Sequence, residues 1–499
     1  MSQLLTTPPV ESSSVSAEVS RKPRFQWATL GLPERKALLF LIDLGILNGA
    51  LAISLNQRSL LKLTQASLLD NAAYFLLISL IWVVFSILLG IYNLLTAASP
   101  MRSAWMASVA GSFTILLFSV IPYLSTPLPQ SRLSILFFPA LTIATLALWR
   151  TFYGLILAQS TFSQRILIIG AGWSGQTLAR VLHGGLEEHQ EASFDKHIGY
   201  QVLGFVDDDP EKLGQDIEGA SVLIAHTGLV SLVQRYRPDQ VVICITAPQN
   251  LRPELFDAIL EVRKLGVPIT TMASLYEKVT GRVPVEHVGH NLSAIFEVNH
   301  SALHRLYMAL RRSIDFFVGL QGCLLLGLVI PFVWMMNRIY SPGPLFYRQE
   351  RIGQGGNSFD IIKFRSMMID AEKFSGAVWA EEDDPRITKI GRFLRLTRLD
   401  EIPQFVNILK GEMSLIGPRP ERPHFVELLA QEIPFYQTRH AIKPGLTGWA
   451  QVCYRYGAST KDAHIKLQYD LFYIKHQGAF LDLKVVLKTV GVVLGFKGR

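Results

Sequence analysis

The chain is predicted to be a membrane protein of mixed α and α/β class: four transmembrane helices, then a parallel α/β domain, then a mostly helical domain that dips back into the membrane. Three observations predict this. Four apolar runs of near-spanning length come first, a strand, glycine loop and helix pattern occupies the middle, and a long apolar run containing a proline introduces a basic C-terminal part. At 499 residues the chain exceeds one ordinary domain, and it is 49% apolar with a positive mean hydropathy. The net charge of +8 fits contact with anionic lipid and phosphate ligands. No basic patch interleaved with aromatics marks a nucleic-acid surface. Cys244, Cys323 and Cys453 are few and far apart, which excludes a disulfide framework and fits a reducing compartment.

Residues 1–34 read as a disordered N-terminus, rich in Ser, Thr and Pro up to Phe25. No signal peptide is expected, since the first apolar run starts only near Ala37. The transmembrane bundle is expected over 35–157, with apolar runs at 37–55, 72–92, 104–124 and 133–148, each near the ~20 residues a spanning helix needs. Arg21, Lys22, Arg24, Arg35 and Lys36 precede the first run, and Arg150 and Arg165 follow the fourth. Positive charge at both ends places both in the cytoplasm. Asp43, inside the first run, reads either as a functional ionisable group in the membrane or as a protonated or helix-paired one.

A second domain is expected over 163–299. A short buried strand at 165–169 leads into Gly170-Ala171-Gly172-Trp173-Ser174-Gly175 and a helix through Leu182. That is the setting of a dinucleotide fingerprint, in which glycines permit a tight turn and bring a helix N-terminus to a phosphate. Further strands at 202–206, 221–224, 241–245 and 267–271 alternate with helices at 229–236 and 253–265, giving a doubly wound, Rossmann-like parallel sheet. Gly170, Gly172, Gly175 and Asp207 are its candidate nucleotide-binding residues. A polar insertion around residues 187–196 separates the glycines from the acid, and no Tyr-x-x-x-Lys pair for hydride chemistry is present. The domain therefore reads as vestigial or regulatory.

The third domain is expected over 304–499. Its apolar run, about 314–339, contains Pro331, which should bend or break a helix. If both flanking soluble regions lie in the cytoplasm, the run is a re-entrant helix, with Arg311, Arg312 and Arg338 anchored in headgroups. The 389–399 stretch reads as an amphipathic basic helix, either interfacial or packed on a core. After it come Leu399-Asp400-Glu401-Ile402-Pro403-Gln404 and then Gly417-Pro418-Arg419-Pro420. An acidic pair among arginines suggests chemistry on a phosphorylated substrate. With Asp400 near an N-cap, Pro403 falls in the first turn and Gly411 ends the helix. The free N–H groups would favour an ionised Asp400 that attacks phosphorus, while Glu401 is a candidate Mg²⁺ ligand. The alternative is that Asp400 merely caps a helix. Arg419 sits between two prolines, rigid enough for bidentate phosphate binding. Lys363, Arg365, Arg386, Arg398 and Lys443 are further candidate phosphate contacts.

The series Ser341-Pro-Gly-Pro, Lys363-Phe-Arg-Ser-Met, Asp384-Pro-Arg, Leu399-Asp-Glu-Ile-Pro-Gln, Gly417-Pro-Arg-Pro and Pro444-Gly-Leu-Thr-Gly-Trp-Ala-Gln resembles the large bacterial monotopic phosphoglycosyl transferases. These are undecaprenyl-phosphate hexose-1-phosphate transferases that initiate exopolysaccharide or O-antigen synthesis. The resemblance implies a ping-pong reaction in which Asp400 attacks the β-phosphate of a UDP-sugar, UMP leaves, and undecaprenyl phosphate takes the sugar phosphate. It implies Mg²⁺ or proton-transfer work for Glu401, phosphate binding by Arg419, and a homodimer with a regulatory or structural central domain. It places the protein in the bacterial inner membrane among membrane lipids, multi-pass, with its active site at the cytoplasmic face. The family's re-entrant helix often breaks at Ser-Pro; here the pair is Ile330-Pro331. Two rival readings are an NAD-dependent sugar-nucleotide oxidoreductase or dehydratase and a nucleotide-gated channel. The channel reading lacks a filter motif and leaves the C-terminal third unexplained.

Overall fold

The computed structural model describes residues 32–57, 71–92, 97, 99–121, 132–157, 164–183, 200–224, 228–245, 252–287, 302–369, 384–454 and 459–494. The expected N-terminal disorder and the insertion around 187–196 lie outside these residues, as does the end of the central domain beyond His287.

Four helices open the fold: α1 (Leu32–Gln57), α2 (Ala72–Leu88), α3 (Pro100–Val120) and α4 (Arg132–Phe152). Leu47, Leu51, Ile78, Trp82, Ala110, Phe118 and Leu146 form their shared core. Leu76, Leu80, Trp105, Leu116 and Leu148 point outward, the pattern of helices that bury one apolar face and present another to lipid. Serine and threonine hydroxyls donate to carbonyls one turn back, as Ser108 does to Ala104 and Thr142 to Phe138, so they need no water. Among the described residues four helices are long and apolar enough to cross a membrane, but not the expected four. The second run yields a helix of only 17 residues, α2, and the fourth candidate span is the later helix Ala302–Tyr340.

Asp43 is helix-paired. The Arg150 guanidinium on α4 grips both its carboxylate oxygens and also donates to the Ile91 carbonyl at 3.0 Å. Both side chains are fully buried. Arg150 was expected to mark the cytoplasmic end of the bundle; it is an internal cross-link between α1 and α4 instead.

The central domain is a six-stranded sheet in the order β3-β4-β2-β1-β5-β6. Its strands are β1 (Gln164–Ile169), β2 (Tyr200–Val206), β3 (Asp216–Ile217), β4 (Ala220–Ile224), β5 (Gln240–Ile243) and β6 (Ile269–Thr271), all parallel except the β3–β4 hairpin. Helices α5 (Trp173–Leu182), α6 (Leu229–Tyr236), α7 (Pro253–Lys264) and α8 (Met272–Thr280) cover two cores, one on each face of β1. The all-apolar strands reflect burial on both faces. β1 is central and β2 and β5 flank it, so the Gly170 turn lies at the switch point where such sheets bind ligands. Sequence reading found five of these strands; it missed the short β3 and the helix α8.

The last domain opens with α9 (Ala302–Tyr340), 39 residues in one unbroken helix with Pro331 inside. Of the expected bend or break at Pro331, the break does not occur. At 1.5 Å per residue α9 is about 58 Å long. One face is buried from Asp315 to Asn337: Asp315, Gly319, Gly322, Leu326, Val333 and Asn337. Asp315 accepts from the Leu415 amide at 2.9 Å, and a side chain at Gly322 would collide with the Phe405 ring. Asn337 is tied to Gly343 and Arg365. Arg311 and Arg312 were expected among lipid headgroups. They donate instead to the Ser414 hydroxyl and to the Ile416, Ile408 and Leu409 carbonyls. Both ends of α9 are therefore bound to one compact domain.

That domain comprises the antiparallel hairpin β7 (Phe346–Ile352) and β8 (Ser358–Phe364), α10 (Lys389–Leu396), α11 (Phe405–Lys410), β9 (Ser414–Ile416), α12 (Pro423–Glu432), β10 (Gly445–Thr447), α13 (Trp449–Cys453), α14 (Thr460–Lys475) and α15 (Ala479–Leu494). The hairpin was not anticipated. α15 lies against α2 and exposes Phe480, Leu483, Val486 and Val490, the apolar stripe of an interfacial helix. Val283 and Val285 of the central domain enter the core formed by Phe425, Leu429, Leu467 and Leu471. Glu277 receives Lys475 at 3.0 Å and His476 at 2.8 Å.

Candidate active site

The acidic pair sits on a 3-10 turn, Leu399–Gln404, that continues into α11. Asp400 does not cap it. Arg398 holds the N-cap position in the left-handed region (φ 58, ψ 15), a conformation costing a non-glycine residue roughly 1–2 kcal/mol. This kink reverses the chain after α10 and turns Asp400 inward, where it is 8% exposed. Gly411 (φ 84) ends α11 as expected.

Glu401 is gripped by cations from three elements. Its Oε1 lies 3.0 Å from Arg419 of the Gly-Pro-Arg-Pro turn, 3.6 Å from Lys363 of β8 and 3.8 Å from Arg398. Burial opposes its charge, but these three cations outweigh burial and hold its carboxyl down at about 2. Asp400 behaves oppositely. Burial pushes it up to about 6, the Glu401 charge adds to the rise, and Lys363, Arg395 and Arg398 oppose it. Its Oδ1 is buried without a hydrogen-bond partner among the described residues. Burial also brings the Lys363 amine down to about 8, against the pull of Glu401. Two adjacent carboxyls thus have divergent environments, the pattern that separates chemical roles in an active site.

Of the residues singled out by sequence, Asp400, Glu401, Arg419, Lys363 and Arg398 come together. The others have different work. Arg365 clasps Asn337 and the Ser341 carbonyl at the end of α9. Arg386 closes on its neighbour Asp384 at 2.6 and 2.8 Å. Lys443 stands beside Arg312, near Gly411. Three further residues at the site were not among the candidate site residues, although Arg395 belongs to the basic run noted around the acidic pair. Arg395 adds charge near Asp400, Gln451 accepts from Arg419 at 3.1 Å, and Arg439 donates to the Arg419 carbonyl at 2.9 Å while paired with Asp470. Gln451 closes a recognised motif and was legible as a candidate. Arg439 lies in an undistinguished turn, and only its burial reveals it.

No group of three or more His, Cys, Asp or Glu side chains gathers among the described residues, so a closed protein cage for a metal is ruled out there. The pair still fits a Mg²⁺ held jointly with substrate, because such sites use one or two carboxylates plus phosphate oxygens. Beside Glu401 the Asp400 Oδ1 is buried without a hydrogen-bond partner among the described residues.

In the central domain the three glycines divide the roles of a fingerprint. Gly170 has φ +100, Gly172 faces open space, and a side chain at Gly175 would meet the Gly170 carbonyl at 2.0 Å. Asp207 is engaged within the protein, accepting from the Ala171 and Asp209 amides at 2.7 and 3.0 Å.

Residues 306–496 match the family model described as bacterial sugar transferase, and residues 87–273 match the one described as CoA-binding domain. The UDP-glucose:undecaprenyl-phosphate glucose-1-phosphate transferase of Escherichia coli (strain K12) is 30% identical over 366 residues, covering 71% of this chain and 75% of that one. The chain belongs to the bacterial sugar transferase family. The UDP-N-acetylgalactosamine-undecaprenyl-phosphate N-acetylgalactosaminephosphotransferase of Aeromonas hydrophila is 38% identical over 234 residues, with 47% of this chain and 54% of that relative covered. The match thus spans about half of the Aeromonas protein. The exopolysaccharide production protein PSS of Rhizobium leguminosarum bv. phaseoli is 35% identical, over 37% of this chain and 94% of its own length. As a member of this family the protein is a transferase, and the site just described falls inside the region that the sugar transferase model matches.

Proposed function

We propose that this sugar transferase moves a hexose-1-phosphate from a UDP-sugar to undecaprenyl phosphate, in two steps through a phosphosugar bonded to Asp400. The carrying observation is the buried Asp400 oxygen with no partner among the described residues, set beside a Glu401 already neutralised by three cations. With its pKa at about 6, roughly nine in ten Asp400 side chains are ionised at pH 7. They are poorly solvated and therefore reactive.

In the first step an Asp400 oxygen bonds to the β-phosphorus, the bond to the bridging oxygen breaks, and UMP departs with the electron pair. In the second, an oxygen of undecaprenyl phosphate bonds to the same phosphorus and the Asp400 carboxylate is released. Arg419, Lys363 and Arg398 surround the charge that passes through the phosphoryl oxygens, the usual way a protein accelerates such transfers. Glu401 keeps these cations aimed. Mg²⁺, when bound with substrate, supplies further screening of the diphosphate.

The setting follows from α9. A crossing α9 would carry a polar catalytic domain through the bilayer, since that domain is bound to it from Arg312 to Asn337. We therefore place α9 as a re-entrant element in the inner leaflet of the bacterial inner membrane, with the site at the cytoplasmic face. The chain is read as a homodimer, with the glycine turn of the central domain as a nucleotide surface outside the chemistry. The name of the Rhizobium relative supports a place in exopolysaccharide production, and we read the transfer as the initiating step of exopolysaccharide or O-antigen assembly. Mass spectrometry of protein mixed with UDP-sugar alone tests the reading: the mass of a sugar phosphate is expected on the peptide containing Asp400. Folded, donor-binding protein that never gains this mass defeats it.

A further inference from the structure

We propose that Gln451 is the positioning residue of the phosphate-gripping Arg419, and that the central α/β domain holds it in place through Trp449. The inference rests on the reading of Arg419 as a donor-phosphate contact. An arginine carries about 2 kcal/mol of rotamer entropy, so a third-exposed guanidinium needs fixing before it serves as a rigid fork. Two bonds to its guanidinium help to fix this one. Nη2 donates to Glu401 at 3.0 Å and Nη1 donates to the Gln451 Oε1 at 3.1 Å. With that oxygen committed, the Gln451 Nε2 is buried without a partner among the described residues. It is a spare donor next to the arginine, as expected of a group that completes its bonding only when a phosphate arrives.

Gln451 is itself held from behind. The Arg419 turn and the β10–α13 segment interlock: Gly417 N donates to the Thr447 carbonyl and Gly445 N to the Pro418 carbonyl, each at 2.9 Å. Added side chains at Gly417, Gly445 or Gly448 would come within 2.4 Å of backbone atoms. α13 then has five residues, starting at Trp449 and carrying Gln451 two positions later. The Trp449 indole is 5% exposed. Its Nε1 donates at 2.9 Å to the carbonyl of Gly281, which ends α8 of the central domain with φ +67. A side chain at Gly281 would sit 3.1 Å from the indole Cζ2. The ring is sandwiched on its other sides by Phe472 and by the ammonium groups of Lys484 and Lys488. One connected path therefore runs from the central domain to Arg419: Gly281, Trp449, Gln451. The central domain is in this sense part of the donor site without touching substrate.

The test is the exchange of labelled UMP into UDP-sugar by full-length protein in detergent, with no acceptor. Gln451→Met keeps the bulk and removes both polar atoms. It is expected to raise the donor KM about tenfold, as for loss of a charge-assisted hydrogen bond, with the maximal exchange rate changed far less. Trp449→Phe, which removes the indole N–H together with part of the ring packed on Gly281, is expected to shift KM in the same direction by a smaller factor. In an Arg419→Gln background, Gln451→Met is expected to add nothing, since it acts through the arginine. Additive losses in the double variant overturn the proposal, as does an unchanged donor KM in Gln451→Met. If Gln451→Met does not fold, Trp449→Phe decides, and its unchanged KM overturns the central domain's part. Wild-type protein that shows no exchange but turns over with acceptor refutes the two-step reading instead; the same KM comparison is then made in the complete reaction.

Discussion

Replacing Asp400 by Asn should stabilise the protein while destroying its activity, with a pH signature fixed by the site. Burial and the Glu401 charge raise the Asp400 carboxyl from 3.8 to about 6. A raised carboxyl pKa means that the folded state resists ionisation. Folding is therefore most favoured below pH 3.8, and stability falls as pH rises from there through 6. At 1.36 kcal/mol per pKa unit the loss approaches about 3 kcal/mol at neutral pH. Asn cannot ionise, so Asp400→Asn escapes this loss. The assay is thermal unfolding in detergent, followed by tryptophan fluorescence between pH 4 and 8, alongside UMP release from UDP-sugar. The variant's advantage over wild type is expected to grow by roughly 2 kcal/mol across that range, part of the total being already lost at pH 4, while UMP release and covalent labelling vanish. A variant whose relative stability does not change between pH 4 and 8 would show that Asp400 is not strained by burial, and the argument for a poorly solvated nucleophile would fail.

Glu401 should behave in the opposite sense. Its carboxyl is held at about 2, so its stabilising effect is full above 4.5 and lost only as pH falls toward 2. Glu401→Gln strands three cations and is expected to lower neutral-pH stability by about 3 kcal/mol, an effect measured in the same melts that fades at strongly acid pH. In the bundle, Asp43→Asn or Arg150→Leu alone leaves one buried charge unpaired and should cost about 3–5 kcal/mol. The double variant should recover much of this, as read by the fraction of monodisperse protein after heating in detergent. Single cysteines placed at exposed positions beyond Tyr340 should resist an impermeant reagent applied to the periplasmic side and react from the cytoplasmic side; the reverse pattern would make α9 a true crossing.

Much of this protein was legible in the chain because local patterns are short-ranged. Five strands of the central sheet appear where buried-strand runs predicted them, within two residues at each end, since strands covered on both faces must be continuously apolar. Gly170 and Gly175 were readable for a similar reason: only glycine tolerates φ +100, or a carbonyl 2.0 Å from its missing side chain. The β7–β8 hairpin escaped notice. Its two turn glycines, Gly355 and Gly356 with positive φ, lie between strands that alternate charge and bulk without a clear apolar face.

What the sequence determined by itself is the cast: the membrane runs, the nucleotide-type sheet, and an acidic pair with Arg419 on a stiff turn. Each follows from residue chemistry acting over a few neighbours. Which cations reach Glu401 was decided only by tertiary structure. Lys363 and Arg419 close on it while Arg365 and Arg386, in equally basic motifs, turn away to hold a helix end and a neighbouring aspartate. The physical reason is that charge is recorded in the sequence, whereas the direction of a side chain, the burial that separates Asp400 from Glu401, and the partnering of Arg150 with Asp43 arise from contacts between residues up to 107 positions apart.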